Sequence, residues 1–487
     1  MTPRERRGRP AGPRSSGPPR GRTGPARPPE IDPARLAALE LLTAVRVRDA
    51  YANLALPAIL RRHRLRDRDA ALATELGYGT LRARGLLDAV IEECTDRPLV
   101  RVEPTLLDAL RLGAYQLLRT RVPPHAAVDT TVELVRVEAG SRAAGFVNAV
   151  LRRVGERDEK AWVQQLAPDA VEDPLGHTAF AHAHPRWIAQ AFADALGGEA
   201  ELDEALAADD ARPVVHLLAR PGEITAEELA LVTGGTEAPY SPYGVHLEAG
   251  SGDVGELDAV AEGLATVQDE GSQLVALALT RAPLLGADTG RWLDLCAGPG
   301  GKSVLLGSLL AIDDGHLDAV EQSEHRADLV RRAVDGLPVD VHTADGREAP
   351  LPEGAYDRVL VDAPCTGLGA LRRRPEARWR RRPDDVAALA KLQRELLMAA
   401  LRHVRPGGVV AYVTCSPHLA ETHGVLRPVL RKHRDVEQLD ARPLLPGVPH
   451  LGEGPSVQLW PHRHGTDAMF LGLLRRLTAV ADAGDTA

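Results

Sequence analysis

The stretch Arg291-Trp292-Leu293-Asp294-Leu295-Cys296-Ala297-Gly298-Pro299-Gly300-Gly301-Lys302-Ser303 is the strongest indication of fold in this chain. A short apolar run ends in Asp294, Gly and Pro then accumulate, and apolar residues return from Val304 onward. This pattern predicts a buried strand, a tight turn and the start of a helix. Glycines let the backbone pass close to a ligand, and the first turn of a helix offers free N–H groups. The stretch predicts a ligand-binding turn, although an ordinary strand-to-helix connection has the same pattern.

The spacing of the glycines excludes two common phosphate-binding motifs. A P-loop needs Gly five residues before the Gly of Gly-Lys-Ser, and that position is Cys296. A dinucleotide fingerprint that begins at Gly298 needs another Gly where this chain has Ser303. The turn therefore serves a different class of ligand.

Strands and helices alternate after this turn, which predicts a mostly parallel, doubly wound sheet. A polar side chain lies at or just beyond the end of each predicted strand, namely Asp294, Glu321, Asp345, Asp362 and Cys415. One such residue is ordinary, because turns favour Asp. A full set at the carboxyl ends of parallel strands predicts a binding site.

The chain divides into five predicted segments. Residues 1–30 are rich in Pro, Gly and Arg and predict a disordered basic tail, and residues 479–487 predict a disordered C-terminus. Apolar residues at helical spacing predict an all-α domain at 31–164. Mixed strand and helix patterns predict a small α+β connecting domain at 165–260, followed by the α/β domain at 261–478.

Composition and charge limit the function classes. The 487 residues are 44% hydrophobic and 26% charged, as in soluble globular proteins, and no apolar run is long enough to span a bilayer. Four scattered cysteines do not form a disulfide scaffold, and no Cys/His spacing indicates zinc. We expect a reduced, cytoplasmic protein that binds no metal and no membrane. The net charge of −9 means that any RNA binding depends on local basic patches.

Two cysteines follow predicted strands, in Asp362-Ala363-Pro364-Cys365 and in Thr414-Cys415-Ser416. C5 of cytosine is a poor nucleophile, and a thiolate that adds to C6 gives C5 carbanion character. The chemistry requires one cysteine. Free cysteines are often only small core residues, but two of them in this setting indicate nucleophilic catalysis.

These motifs together resemble a known family. The 296–302 turn, the two cysteine motifs and the segment 267–272 are similar to those of RsmB/Sun/Fmu-type bacterial 16S rRNA (cytosine-5) methyltransferases. Residues 122–129 through 146–153 resemble the NusB-like RNA-binding domain that precedes the catalytic domain in these enzymes. The resemblance implies a NusB-like domain at 31–164, a small α+β domain that contributes to RNA binding, and a Rossmann-like class I S-adenosylmethionine methyltransferase domain.

The resemblance also implies the reaction and its partners. S-adenosyl-L-methionine is the implied cofactor, and the implied substrate is 16S rRNA, naked or in a small-subunit assembly intermediate. The implied target is a site like cytosine 967 in standard rRNA numbering, and we expect a monomer. Asp362 would contact the target base, Cys415 would be the nucleophile and Cys365 would assist product release. Chemical logic alone does not rank the two cysteines, because DNA enzymes use the Pro-Cys cysteine as the nucleophile.

The resemblance assigns cofactor binding to the turn and to acids at the strand ends. The expected residues are Cys296, Ala297, Gly298, Pro299, Gly300, Gly301, Lys302, Glu321, Asp345 and Asp362. The chain departs from the family pattern at Glu321, where Asp is usual. It departs again at Asp467-Ala468-Met469-Phe470, where Asp-Gly-Phe-Phe is common.

An arginine-rich stretch follows the first cysteine motif. Basic residues with an interleaved aromatic are typical of a phosphate-binding and stacking surface, although arginine runs are usually solvated faces. The predicted RNA contacts are Arg372, Arg373, Arg374, Arg378 and Trp379.

Other functions stay open at this stage. The substrate could be tRNA or another RNA. A noncatalytic NusB-like RNA-binding or antitermination factor would explain the helical domain, but it would not need Cys415. A nicotinamide-dependent oxidoreductase would share the sheet, but the glycine spacing and the paired cysteines argue against it.

Overall fold

The computed structural model describes residues 31–247 and 254–477, so the two predicted terminal tails lie outside the described residues. Its N-terminal part is helical, as predicted: α1 (Pro33–Val47), α2 (Ala52–His63), α3 (Asp67–Glu93), α4 (Pro104–Arg119), α5 (Pro124–Ala139), α6 (Ser141–Val154) and α7 (Glu159–Leu166). Asp32 caps α1, and Glu103 caps α4; each precedes a proline at the first helical position. The helices bury one apolar core between them.

Three further helices follow: α8 (Pro174–Ala181), α9 (Arg186–Leu196) and α10 (Leu202–Asp210). Their apolar faces do not pack on the small sheet that comes next in the chain. They bury Phe192 and Leu206 with Leu368, Leu371 and Trp460 of the C-terminal part. These helices therefore join the N-terminal helices to the C-terminal part.

A small antiparallel sheet follows these helices. Its elements are β1 (Val215–Ala219), α11 (Ala226–Thr233), β2 (Thr236–Glu237), β3 (Gly244–Leu247), α12 (Asp258–Ala261) and β4 (Ala265–Val267), with strand order β2-β3-β1-β4. This part therefore mixes strands and helices, as predicted. The fourth strand pairs Val267 with Leu217, so this sheet extends past the boundary that we predicted at residue 260.

The C-terminal part has the predicted α/β architecture. Its elements are α13 (Glu270–Arg281), β5 (Arg291–Asp294), α14 (Gly301–Ile312), β6 (His316–Glu321), α15 (Glu324–Ala333), β7 (Val339–Thr343), β8 (Tyr356–Asp362), α16 (Ala377–Arg380), α17 (Pro383–His403), β9 (Val404–Thr414), α18 (His423–Lys432), β10 (Val436–Leu439), β11 (Val457–Gln458), α19 (Pro461–His464) and β12 (Phe470–Arg476).

The large sheet is mixed, with strand order β10-β12-β9-β8-β5-β6-β7 and β11 paired to β12. Strands β5 to β9 are parallel, and β12 runs antiparallel to β9 and β10. Strands β11 and β12 form an antiparallel pair, in which Val457 pairs with Leu471.

Apolar side chains fill both faces of the large sheet. Leu305, Leu317 and Leu360 lie in the core that includes α13 and α14, and Val359 and Val410 lie in the core that includes α17. Because the central strands are parallel, their carboxyl ends meet at one edge. Within the described ranges, no helix is both long and apolar enough to cross a membrane.

Candidate active site

The turn between β5 and α14 lies against the end of β6. The backbone N–H of Gly298 donates to Glu321 Oε2 at 3.1 Å, and a Cβ at position 298 would lie 2.1 Å from that oxygen. Gly300 precedes α14 with a φ of +114°, in the region that favours glycine. The two glycines therefore allow the backbone approach that the sequence pattern predicts.

Asp294 connects the end of β5 to the first turn of α14. It is 1% exposed and accepts a hydrogen bond from Ser303 Oγ at 2.7 Å. Burial, together with the negative charge of Asp362, raises the pKa of Asp294 to about 6. The site therefore contains a carboxyl group that is protonated more easily than usual, next to the turn between β5 and α14.

Lys302 joins this turn to the first cysteine motif. Its Nζ lies 2.7 Å from Asp362 Oδ2 at the end of β8. Burial alone would lower the pKa of Lys302, but the charge of Asp362 and its hydrogen bond outweigh burial, so the pKa is raised. Lys302 is thus held as a cation beside the strand end, and it is not a solvated helix-start residue.

The loop that carries Asp345 also lies against the turn between β5 and α14. A Cβ at Gly346 would lie 2.8 Å from the carbonyl oxygen of Leu295, so the loop that carries Asp345 packs against the turn. Arg347 lowers the pKa of Asp345 by hydrogen bonding to its carboxylate. Cys296 lines the turn as an uncharged thiol, because burial raises its pKa well above the usual range.

Sequence reasoning missed Gln268, which the structure adds to this region. Gln268 is 6% exposed and lies beside Gly301, the first residue of α14. Its Oε1 has no hydrogen-bond partner among the described residues. A buried polar atom without a partner at a helix N-terminus fits a site that accepts a polar ligand. The segment 267–272 was the only sequence signal, and it marks the region rather than the residue.

The two cysteines meet at the ends of β8 and β9. Cys365 Sγ and Cys415 Sγ are 3.3 Å apart. A hydrogen bond from Cys365 lowers the pKa of Cys415, as do the positive charges of Arg374 and Lys302. The same contact and burial raise the pKa of Cys365 well above the usual range. The pair is therefore asymmetric, because Cys415 loses its proton more easily than Cys365 does.

A buried carboxylate, missed by sequence reasoning, connects the two cysteine loops. Glu421 is fully buried and accepts hydrogen bonds from the Thr366 backbone N–H at 2.8 Å and from Ser416 Oγ at 2.7 Å. It also accepts from Thr366 Oγ1, and from Gln393 Nε2 at 3.0 Å. Thr366 follows Cys365 and Ser416 follows Cys415, so Glu421 fixes the spacing of the cysteines.

The predicted RNA contacts of the arginine-rich stretch are wrong for Arg372 and Arg373. Both guanidinium groups are held by two buried carboxylates. The Nε atoms of Arg372 and Arg373 lie 3.1 and 3.0 Å from Asp467 Oδ1, and Arg373 Nη2 lies 2.8 Å from Asp269 Oδ1. The carboxylates come from residues about 100 positions away in the chain, so the pattern of the stretch did not indicate them.

Arg378 is also not available to RNA, because it is 0% exposed. Its guanidinium lies 3.1 Å from Asp209 Oδ2 and 3.1 Å from Asp210 Oδ1, at the end of α10. Trp379 packs on the helical domain: its Nε1 donates to Leu81 O at 2.9 Å, and a Cβ at Gly85 would lie 2.1 Å from its ring. Arg378 and Trp379 therefore connect the C-terminal α/β part to the helices. Of the predicted RNA contacts, only Arg374 is exposed.

One group of side chains has donors that suit a metal ion. Single ligand atoms of His316, Asp318 and Asp340, on β6 and β7, lie within 4.8 Å of one another. Asp318 already accepts a hydrogen bond from Tyr356 Oη at 2.8 Å and pairs with His342 Nε2 at 2.7 Å. The group therefore has partners without an ion, and the expected absence of a metal stays a prediction.

Comparison with known proteins gives the family. A family model described as 16S rRNA methyltransferase RsmB/F matches residues 283–475, and a NusB family model matches residues 32–156. A probable ribosomal RNA small subunit methyltransferase B of Bacillus subtilis is 31% identical over 458 residues, covering 90% of this chain and 98% of that protein. The chain belongs to the RsmB/F family of methyltransferases.

Two further relatives agree with this family. A putative methyltransferase of Mycobacterium tuberculosis strain H37Rv is 64% identical over 462 residues, covering 94% of this chain and all of that protein. The crystal structure of the protein named PH0851 is 23% identical and covers 92% of this chain and 99% of its own, with a TM-score of 0.76. The last likeness shows that the fold is shared over nearly the whole chain.

Membership of the RsmB/F family confirms the predicted methyltransferase class and the NusB-like domain, and it implies an RNA substrate. It does not support an oxidoreductase. One departure from the family pattern is Ala468, where Gly is common. Its backbone N–H donates to Gly369 O at 2.9 Å. Ala468 therefore packs on the loop that follows Cys365, at the wall of the site.

Proposed function

We propose that this chain transfers a methyl group from S-adenosyl-L-methionine to C5 of a cytosine in 16S rRNA, through a covalent bond between Cys415 and C6. The observation that carries the proposal is the asymmetric cysteine pair, 3.3 Å apart at the carboxyl ends of two parallel strands. One thiol is ionised more easily than usual, and its neighbour is held protonated.

Cys415 is the proposed nucleophile because the thiolate is the reactive form of cysteine. Its sulfur adds to C6, the C5–C6 double bond opens, and the electron pair accumulates at C5. When bound, S-adenosyl-L-methionine supplies the methyl group that C5 takes up. A base then takes the C5 proton, and the electron pair of the C5–H bond restores the double bond and expels Cys415 as thiolate. Cys365, the protonated partner, assists this release.

The residues of the turn fit the proposed cofactor. The N–H groups at the start of α14 and the unpartnered Gln268 Oε1 suit its charged amino acid portion. Glu321 is the proposed partner of the ribose hydroxyls, and Asp345 lies on the adenine side. Asp362 is proposed to contact the cytosine edge, and Lys302 holds that carboxylate in place at 2.7 Å.

The proposed substrate is 16S rRNA, because relatives carry the name ribosomal RNA small subunit methyltransferase B. The NusB-family domain supports an RNA substrate of this kind. We propose a target like cytosine 967 in standard rRNA numbering, either in naked RNA or in a small-subunit assembly intermediate. A tRNA substrate is the alternative within the same chemistry.

The test is a denaturing gel with 16S rRNA and radiolabelled S-adenosyl-L-methionine. We expect the wild type to give labelled RNA. Cys365→Ala should accumulate a covalent protein–RNA band, because the bond to C6 forms but is released slowly. Cys415→Ala should give neither the band nor labelled RNA. Cys94→Ala is the matched control, since Cys94 is buried in the helical domain.

Other outcomes separate the alternatives. A covalent band from Cys415→Ala would exchange the roles of the two cysteines. Labelling of tRNA but not of 16S rRNA by the wild type would replace the substrate. No labelled RNA of any kind, with naked RNA or assembly intermediates, would favour a noncatalytic RNA-binding factor.

A further inference from the structure

The helical domain reaches the rim of the cysteine site through the connection between α1 and α2. Arg380 Nη2 donates to Val45 O at 2.9 Å and to Ala50 O at 2.7 Å. The backbone N–H of Ala52 donates to Glu376 Oε1 at 3.3 Å, and Glu376 is 2% exposed. Residues 45–52 are therefore fixed to the arginine-rich stretch of the catalytic half.

Tyr51 stands out in this connection because its side chain is 48% exposed. The guanidinium carbons of Arg374 and Arg380 lie 5.9 and 5.8 Å from the centroid of its ring. Arg380 Nε also pairs with Asp49 Oδ1 at 3.0 Å, so the exposed ring offers a stacking surface and Arg374 offers attraction for phosphate. Neither the ring nor its position was indicated by the sequence, because Arg374 and Arg380 are more than 320 residues away in the chain.

This aromatic group lies close to the reacting cysteines. The Gly369 N–H donates to Cys415 O at 2.9 Å, and Arg374 N–H donates to Ala370 O at 3.0 Å, so Arg374 is one turn beyond a backbone contact with Cys415. On the other side, Arg381 Nε donates to Thr366 O at 3.0 Å, next to Cys365. Tyr51 is therefore connected through Arg374 to the loop that contacts Cys415.

A second group of arginines lies at the far end of the helix that follows Tyr51. Helix α2 begins after Tyr51 and has 12 residues, a length of about 18 Å. Its far end and the following turn expose Arg61, Arg62 and Arg64. Arg62 is paired with Glu40, and the exposed Arg61 and Arg64 suit the phosphates of a bound RNA strand.

We infer that Tyr51, beside Arg374 and Arg380, is a stacking platform for an unpaired base adjacent to the target cytosine in the RNA. Proteins that recognise single-stranded RNA stack splayed bases on aromatic rings and guanidinium planes. The inference rests on the proposed function, and it gives the NusB-family domain a direct part in placing the target. Tyr51 is a substrate-binding residue and takes no part in the bond changes.

The test uses a 16S rRNA hairpin that contains the proposed target, with an abasic site introduced at each flanking position in turn. We expect Tyr51→Ala to raise the KM for the intact hairpin roughly tenfold, because one base loses its aromatic stacking partner. Tyr51→Phe, which keeps the ring, should restore the low KM. For the wild type, one abasic position should raise KM by a similar factor, and that position should have no further effect in Tyr51→Ala.

The matched control is Leu54→Ala, which shortens a side chain that is 66% exposed on the same helix. It should leave KM for the hairpin unchanged, and all variants should melt at the wild-type temperature. An unchanged KM in Tyr51→Ala would overturn the inference. So would equal sensitivity of wild type and Tyr51→Ala to every abasic position.

A binding measurement separates this inference from the proposed function. The Kd of the labelled hairpin is measured by fluorescence anisotropy, without S-adenosyl-L-methionine. If methyl transfer is absent but Tyr51→Ala weakens hairpin binding and Tyr51→Phe does not, the proposed function fails and the platform stands. If methyl transfer occurs but neither KM nor Kd depends on Tyr51, only the platform fails.

Discussion

The two cysteine loops and the arginine-rich stretch 372–382 are close together in the fold. The two regions differ in how far their sequences predicted where their side chains lie. Cys365 and Cys415 lie together at 3.3 Å, next to the strand ends that the sequence indicates. The stretch was expected to face RNA, but its Arg378 is fully buried between the carboxylates of α10. The cysteines are placed by the strands that precede them, whereas the arginines are placed by distant partners.

This difference shows which kind of motif can be interpreted from the sequence alone. A residue at the end of a parallel strand has a position that follows from the sheet alone. A charged run has no such constraint, and its environment depends on which carboxylates the rest of the fold brings to it. Four experiments test this distinction, and they are given in decreasing order of effect.

The largest effect should come from Arg378→Met. Removing the guanidinium leaves Asp209 and Asp210 buried with one partner fewer, which costs about 3–5 kcal/mol for a broken buried ion pair. We expect a clear fall in the melting temperature, measured by circular dichroism. The control Arg382→Ala changes an exposed residue of the same stretch and should shift stability by less than about 0.5 kcal/mol. Equal melting temperatures for both variants would show that the ion pairs of Arg378 do not stabilise the fold.

Glu421→Gln should impair methyl transfer next most strongly. The amide replaces an acceptor oxygen with a donor that faces the hydroxyl and N–H groups of Thr366 and Ser416. The two cysteine loops would then separate, and a misplacement of about 1 Å costs roughly 100-fold in rate. The single-turnover rate with saturating RNA measures this loss. A normal rate, together with normal folding, would show that the spacing of the cysteines does not depend on this carboxylate.

Cys365→Ala should move the ionisation of Cys415 to higher pH. The hydrogen bond from Cys365 favours the thiolate, so its loss raises the pKa of Cys415. At any pH below that pKa, the thiolate fraction falls about tenfold when the pKa rises by about one. The measurement is the rate of alkylation of Cys415 by iodoacetamide against pH, followed by peptide mass spectrometry. Cys94→Ala should give the wild-type profile, and an unmoved inflection in Cys365→Ala would contradict the asymmetric pair.

Asp345→Asn should have the smallest effect of the four. The change keeps the shape of the side chain but removes the charge that holds Arg347. We expect the affinity for S-adenosyl-L-methionine to fall roughly tenfold, as for one charge-assisted hydrogen bond. Isothermal titration calorimetry gives the Kd. An unchanged Kd would remove Asp345 from the proposed cofactor site.

Local patterns in the chain were sufficient to predict the order of the elements, the class of the large sheet and the edge at which the site forms. The local pattern of strand, turn and helix start was enough to predict the positions of the glycine-rich turn, the acids at the strand ends and the two cysteines. Glycines at 298 and 300 are required by backbone geometry that the turn already implies.

The contacts between distant segments, in contrast, became visible only in the packed molecule. No periodicity connects the segments that meet at these contacts. Examples are Glu421 between the cysteine loops, Gln268 beside α14 and Tyr51 beside Arg374. Arg372, Arg373 and Arg378 were placed in the same way, by the carboxylates of Asp467, Asp269 and Asp209. Burial requires a charge to find a partner, and which partner it finds is a property of the tertiary fold.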